Sequence, residues 1–198
     1  MDTKEKILDT ALIEFAKNGI EGARVDTIAD KAGINKAMIY YHFGSKENLY
    51  QAVIECHLER IGNFVARTIE EEADLEKFLI KLSGFYNALS VERPTFFPII
   101  LREMITGGER IKVALTRIMG ARGILRRLRE MIDAGIDRGD FRKLDSRQVI
   151  VSFLGMNIFY MIFMPVMNSV WEIEDVKTFR ENRPQAIVDL FLRGLKKC

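Results

Sequence analysis

The 198-residue chain is poor in the residues that staple or punctuate small folds. It has two cysteines, Cys56 and Cys198, and two histidines. Neither a disulfide framework nor a zinc cluster is expected from so few, and the usage fits a reducing cytoplasm. Four prolines and little strand-like alternation between turn signals leave helix as the main expectation. The net charge is only +2, too small to argue for nucleic acid by itself. Low-complexity runs and internal repeats are missing, and the opening Asp2-Thr3-Lys4-Glu5-Lys6 lacks the apolar core of a signal peptide. No metal cluster, phosphate loop or Ser/His/Asp set stands out, and His57 has no nucleophile near it in sequence. The chain therefore does not read as an enzyme, and no cofactor is expected. Apolar residues, by contrast, make up 48% of the chain, enough for a sizeable core.

The apolar residues fall at helical spacing. A first helix is expected from about Thr3 to Asn18, with Asp2 and Glu5 as a capping box, a stripe of Ile7, Leu8, Ala11, Leu12, Phe15 and Ala16, and Gly19 as its stop. Short helices follow over Val25 to Ala32 and Asn35 to Phe43, and Ser45 can cap a long fourth. Leu75, Phe78, Leu79, Leu82 and Phe85 form the next stripe, and Phe96 to Ile105 a shorter helix closed by Gly107-Gly108. One long helix is expected over Glu109 to Asp137, with a bend or close contact at Gly120 and Gly123. Asp145 with Gln148 opens another to about Asn168, and the last begins near Pro184.

The stretch Val25 to Phe43 carries the function. Two helices joined by a three- or four-residue turn cross steeply. They need a small residue at the crossing (Ala29), a glycine free to take positive φ (Gly33) and apolar plugs (Ile28, Ile34, Ile39). Ile39 and Phe43 then face inward, leaving Lys36, Ala37, Met38, Tyr40, Tyr41 and His42 outward on a helix short enough to enter a major groove. Exposed aromatics in sequence argue against an ordinary solvated face. Residues 1–50 hold seven basic side chains (4, 6, 17, 24, 31, 36, 46) against eight acidic ones (2, 5, 9, 14, 21, 26, 30, 47). Affinity must then rest on a few placed contacts.

Ile28-Ala29, Ala32-Gly33-Ile34, Ile39-Tyr40-Tyr41-His42-Phe43 and Ser45-Lys46-Glu47-Asn48-Leu49 together resemble the TetR (tetracycline-repressor-like) family of bacterial regulators, over about Lys4 to Val53. The resemblance implies an all-α fold: a three-helix helix-turn-helix DNA-binding domain at 1–46, then a larger helical effector-binding and dimerisation domain at 47–198. It implies that Lys36, Ala37, Met38, Tyr40 and His42 meet base edges or thymine methyls, and that Tyr41 and Lys46 meet phosphate. Arg24 stands where the family often has a capping Ser or Thr; it cannot accept that hydrogen bond but could donate to phosphate. Thr27 and Asn35 complete the expected DNA-facing set. Beyond Val53 the likeness is one of length, helix count and the turn Gly139-Asp140-Phe141-Arg142.

Gln148 to Trp171 contains no Asp, Glu, Lys or Arg and is long enough to span a bilayer. Ser152, Asn157, Pro165 and Asn168 inside it, and flanks without strong positive bias, argue against a span. The resemblance implies instead that the last two long helices form a four-helix dimer interface. Phe153, Gly155, Ile158, Ile162, Ile187, Leu190, Phe191, Gly194 and Leu195 are its expected residues. The expected partners are double-stranded operator DNA, a second copy of the chain and a small-molecule effector, in the cytoplasm and without a membrane.

Candidates for the effector pocket are Phe85, Tyr86, Phe96, Phe97, Met104, Met119, Arg122, Met156, Asn157, Phe159, Tyr160 and Phe163. Most are core by default. Nine Met and thirteen Phe nevertheless make an adaptable interior suited to an apolar or aromatic compound. The basic residues from Arg110 to Arg129 are either a solvated face or, at Arg122, a reach into the pocket toward an anionic group. Asn157 is open to its twin across a dimer axis or to a ligand. A regulator without any small-molecule effector, acting architecturally or through a protein partner, is the alternative reading.

Overall fold

Capping chemistry lays out the N-terminal helices in the computed structural model, which describes residues 2–196, Pro165 by its backbone alone; Cys198 lies outside the described residues. Helix α1 (Thr3–Gly22) opens where the Asp2 N–H donates to Glu5 Oε2 at 3.3 Å. The chain leaves helical geometry at Gly19 (φ 68°, ψ 178°), as that residue's freedom allows, but takes one further turn to Gly22. Helix α2 (Val25–Ala32) starts at Arg24 without a side-chain cap and stops at Gly33, in the left-handed region at φ 61°. There the Ile34 N–H returns to Ala29 O at 3.1 Å, satisfying a carbonyl that the helix end would orphan. Helix α3 (Lys36–Phe43) begins one residue later than expected, because Asn35 is its cap and accepts the Ala37 N–H at 2.8 Å. Ser45 Oγ accepts the Asn48 N–H at 3.1 Å and opens α4 (Lys46–Glu71).

The described residues continue with α5 (Leu75–Glu92), α6 (Phe96–Ile105), α7 (Glu109–Ala121), α8 (Ile124–Asp137), α9 (Ser146–Val170) and α10 (Val176–Leu195). The fold is all-α; the described residues form no strand, only an isolated bridge between Phe141 and Lys196. Three local expectations change. The helix expected over Glu109 to Asp137 is two helices, since Gly123 sits at φ 61° and breaks the ladder between α7 and α8. Asp145 caps α9 through the Arg147 N–H at 2.9 Å and pairs with the Arg147 guanidinium at 2.7 Å, rather than boxing with Gln148. Helix α10 starts well before Pro184, where Asp175 accepts the Thr178 N–H at 2.9 Å, and it carries the proline inside.

The helices group into two compact units. The first runs through Gly62 and takes in Arg93–Ala121, so it holds α1 to α3, the N-terminal part of α4, α6 and α7. Ile7, Ala11, Phe15, Ile28, Ile39, Leu49 and Tyr50 are buried in it, with Phe15 edge-on to Tyr50 at 4.9 Å. The second comprises Asn63–Glu92 and the chain from Arg122, hence the rest of α4, α5 and α8 to α10. Within it α5 packs on α9 and α10, Phe64 stacks on Phe85 at 4.0 Å, and Phe153 meets Phe191 at 5.1 Å.

Candidate nucleic-acid interface and sensor residues

The crossing of α2 and α3 is fixed from inside. Ile28, Ala29, Ile39 and Phe43 are buried and Ile34 is half-buried, which sends Lys36, Ala37, Met38, Tyr40 and Tyr41 to solvent. Tyr41 is 80% exposed, an arrangement that gains nothing from folding and suits a partner surface. His42 differs from its neighbours. One turn from Ile39, it sits beside the buried stripe, half-buried, edge-on to Tyr41 at 5.2 Å, with no partner for Nε2.

The expected phosphate and base contacts are partly engaged within the protein. Lys36 Nζ pairs with Asp26 Oδ1 at 2.8 Å, across the helix-turn-helix. The pair lowers the Asp26 carboxyl pKa and raises that of Lys36, chiefly through this charged hydrogen bond. Lys46 is half-buried, with Nζ 3.5 Å from both Glu21 O and Ala23 O at the end of α1. Asn35 spends its side-chain oxygen on the cap, Thr27 is half-buried, and Arg24 is exposed.

Behind this face the first unit is strutted by long-range polar contacts that sequence spacing does not announce. Arg93 pairs with Asp9 at 2.6 Å, and Arg102 donates to Lys17 O at 3.3 Å, tying the α6 region to α1. Lys31 pairs with the buried Glu14 at 2.7 Å and holds its carboxyl below the ordinary range. Glu103, also buried, takes Arg110 at 3.3 Å; burial first, then this carboxylate, pushes the Tyr50 phenol up to about 12. His57 is buried, stacked on Phe96 at 4.7 Å, with Nδ1 3.0 Å from Val53 O. Desolvation pulls its pKa below the ordinary 6.5.

The expected pocket residues do not share one environment. Tyr86, Phe96, Phe97 and Asn157 are buried, Phe85, Met119, Met156 and Tyr160 half-buried, and Met104, Arg122, Phe159 and Phe163 exposed. Helix α7, which carries Ile111 and Ile118, ends at Ala121, so Arg122 lies outside it. Asn157 is satisfied inside the second unit: Ser83 Oγ donates to its Oδ1 at 2.6 Å, and its Nδ2 donates to Phe153 O at 2.9 Å. Much of the basic stretch is a surface face of ion pairs, among them Arg117 with Glu55 and Arg127 with Glu70, individually worth little. A cleft of about 590 Å³ opens elsewhere in the second unit, floored by Ile69, Leu75, Met131, Phe141 and Leu192, and none of the expected pocket residues lines it.

The residues expected at the dimer interface also divide. Phe153, Ile187, Phe191 and Leu195 are buried within the protomer, Ile158 and Ile162 are half-buried, and Gly155, Leu190 and Gly194 face solvent. The apolar stripe exposed on α9 is Val151, Gly155, Phe159, Phe163, Val166 and Val170, with Phe159 and Phe163 stacked at 4.3 Å. By length and composition α9 could cross a membrane over Ser146–Met164. Among the described residues no group of three or more His, Cys, Asp or Glu side chains is arranged to hold a metal.

Comparison with known proteins identifies the whole. Residues 7–53 match the model of bacterial regulatory proteins of the tetR family, and residues 76–190 that of the tetracyclin repressor-like C-terminal domain. The chain belongs to the TetR family. It is 30% identical to the HTH-type transcriptional repressor NicS of Pseudomonas putida, over 98% of this chain and 93% of that one. In fold the TetR-family chain is similar to the fatty acid degradation regulator FadR of Bacillus halodurans (TM-score 0.74, 20% identity, 98% and 96% of the chains). It is likewise similar to the transcriptional regulator FadR of Bacillus subtilis, solved in complex with stearoyl-CoA (TM-score 0.70, 22% identity, 96% and 98%). The family match makes the helix-turn-helix that of a regulatory protein.

Proposed function

We propose that this TetR-family protein is a ligand-responsive transcriptional repressor, binding an inverted-repeat operator as a homodimer and released by a largely apolar small molecule. The observation that carries the reading is the outward row on α3, where Lys36, Ala37, Met38, Tyr40 and Tyr41 stand exposed on a helix short enough for a major groove. The DNA-reading part is residues 1–46; residues 47–198 sense and dimerise. Base preference comes from Lys36, Ala37, Met38, Tyr40 and His42, whereas Tyr41, Lys46 and Arg24 serve the phosphates. With Lys36 already paired to Asp26 and the module nearly neutral, a lone protomer binds weakly, and pairing two reading heads supplies the affinity.

The exposed stripe on α9, joined by Leu190 and Gly194 on α10, is the face the dimer covers. Its α9 residues are apolar and recur at helical spacing, and α9 falls within the matched C-terminal domain, which favours a protein interface in the cytoplasm over a bilayer. Phe159 and Phe163 then serve assembly, and the sensor draws on the more buried Phe85, Tyr86, Met156 and Tyr160. A relative in fold that carries stearoyl-CoA supports an apolar ligand. Effector must bind the DNA-free form better than the DNA-bound form; a hundredfold release needs about 2.7 kcal/mol of coupling. Sedimentation of the full chain with and without operator duplex tests the assembly. A dimer alone and a pair of protomers per duplex are expected, and one protomer per duplex would overturn the reading. A regulator with no small-molecule effector would keep the DNA result and lose any ligand response.

A further inference from the structure

Helices α5, α9 and α10 of the second unit each carry an unpartnered polar atom. Tyr160 Oη, Arg183 Nε and Asn87 Oδ1 are each buried with no hydrogen-bond partner among the described residues, although native structures rarely leave such atoms unsatisfied. The Arg183 guanidinium lies over the Tyr160 ring at 5.0 Å. Stacking uses the flat face of the guanidinium and leaves its in-plane donors free. Asn87 is at the same height by register. Ser83 on α5 bonds Asn157 on α9, and one turn on along each helix come Asn87 and Tyr160. Lys196 Nζ lies 3.9 Å from Glu76 Oε2, pairing the end of α10 with the start of α5. Arg183 stands about three and a half turns and Asn87 about three turns from that pair, within about a half-turn of one another.

The charge around this point has one sign. Arg180 and Arg183, nearly one turn apart on α10, are both half-buried, and neither forms an ion pair with a carboxylate among the described residues. The charged groups acting on the Tyr160 phenol are these two guanidinium groups, and burial lowers the pKa of Arg183 with only Tyr160 opposing it. Half-buried cations without a counter-charge are costly unless an anion joins them. The surroundings are apolar, with the Phe179 ring 6.4 Å from Tyr160.

We infer that Arg183, with Arg180, the Tyr160 hydroxyl and the Asn87 amide, receives the carboxylate of an organic acid whose apolar body lies along α9 and α10. The inference rests on the ligand-responsive reading above and assigns the anionic anchor to Arg183 in place of Arg122. A carboxylate accepts the Arg183 Nε–H and an in-plane terminal N–H side by side, and the phenol donates a third hydrogen bond. Asn87 offers its Nδ2 after a half-turn about its last torsion. An uncharged isostere of the same acid leaves both guanidinium groups uncompensated and binds worse.

Calorimetric titration of the full chain tests this with benzoate and decanoate, their primary amides, and inorganic phosphate as probes. At least one carboxylate binds the wild type and its amide binds much more weakly. Arg183→Gln weakens that carboxylate about ten- to a hundredfold, as loss of hydrogen bonds to a charged group does. Arg183→Lys restores part of the loss, and Tyr160→Phe, which removes only a hydroxyl, weakens binding with thermal stability unchanged. Four results would overturn the inference: no carboxylate bound, acid and amide bound alike, phosphate bound alone, or carboxylate affinity indifferent to Arg183. A variant that instead weakens the dimer with no effect on acids would assign these cations to a partner carboxylate and overturn it as well. Operator affinity measured on the same preparations separates the two levels, since operator binding that persists beside a failed titration leaves the repressor reading standing.

Discussion

Lys36 and Lys46 sit on the same module but are expected to answer substitution differently. Lys46, at the start of α4, is proposed to meet the DNA phosphates, so Lys46→Ala should weaken all duplexes alike and flatten the salt slope by about one unit. Lys36→Ala should change which bases are preferred and move the salt slope less, because its charge is already balanced by Asp26 at 2.8 Å. Anisotropy titrations over a salt series with two or three operator variants check both; identical responses from the two variants would contradict the assignment. His57 gives a prediction about pH. Its folded pKa lies below the ordinary 6.5, so between those values the unfolded chain binds the extra proton. Its contribution to stability is complete above about 6.5 and is lost as pH falls below it. Urea unfolding from pH 7.5 to 5 should show that slope, and His57→Phe, which keeps the stack on Phe96, should flatten it. The outward placement of Lys36, Ala37, Met38, Tyr40 and Tyr41 was legible because it needed only the phase of one short helix. The engagement of Lys36 by Asp26, of Asn35 by its own helix and of Glu103 by Arg110 was not, since those pairings depend on rotamers and on distant chain.

The helix-turn-helix was legible at the scale of elements because its signals are local: a left-handed Gly33 in the turn and a capping Ser45. Gly33→Ala isolates the first of these. A Cβ there meets nothing nearer than Lys6 Nζ at 3.7 Å, so the cost is backbone alone, about 1–2 kcal/mol for a non-glycine residue held left-handed. Gly135→Ala offers the contrast, since its Cβ would strike the Phe141 ring although its φ is not positive; chemical denaturation should show a loss of larger size. The start of α10 was illegible, because residues from Lys177 to Arg183 carry no apolar stripe and only the Asp175 cap marks the entry. The two faces of α9 were illegible for the opposite reason. A helix apolar all round has no phase of its own. Which side turns inward is decided by Ser83 on Asn157 and Phe191 on Phe153. This is why Phe159 and Phe163 face solvent while Phe153 and Phe191 do not.

For the whole molecule the proposed dimer ties these parts together, and Gly155 tests it cleanly. It is exposed, and an added Cβ would have nothing within 4 Å, so Gly155→Glu leaves the protomer undisturbed. At an apolar interface the same charge would be buried without a partner, at a cost of several kcal/mol. Sedimentation should show a folded monomer with unchanged helicity and weakened operator affinity; a variant that stays dimeric would move the interface elsewhere. The central claim, that two copies of this chain read a symmetric DNA site, is tested most directly by selecting duplexes from a random pool with the purified full chain and sequencing them. The account predicts enrichment of an inverted repeat with half-sites about one helical turn or more apart, its base preferences altered by Lys36→Ala. A pool that is not enriched, or enrichment of a single asymmetric half-site, would contradict it.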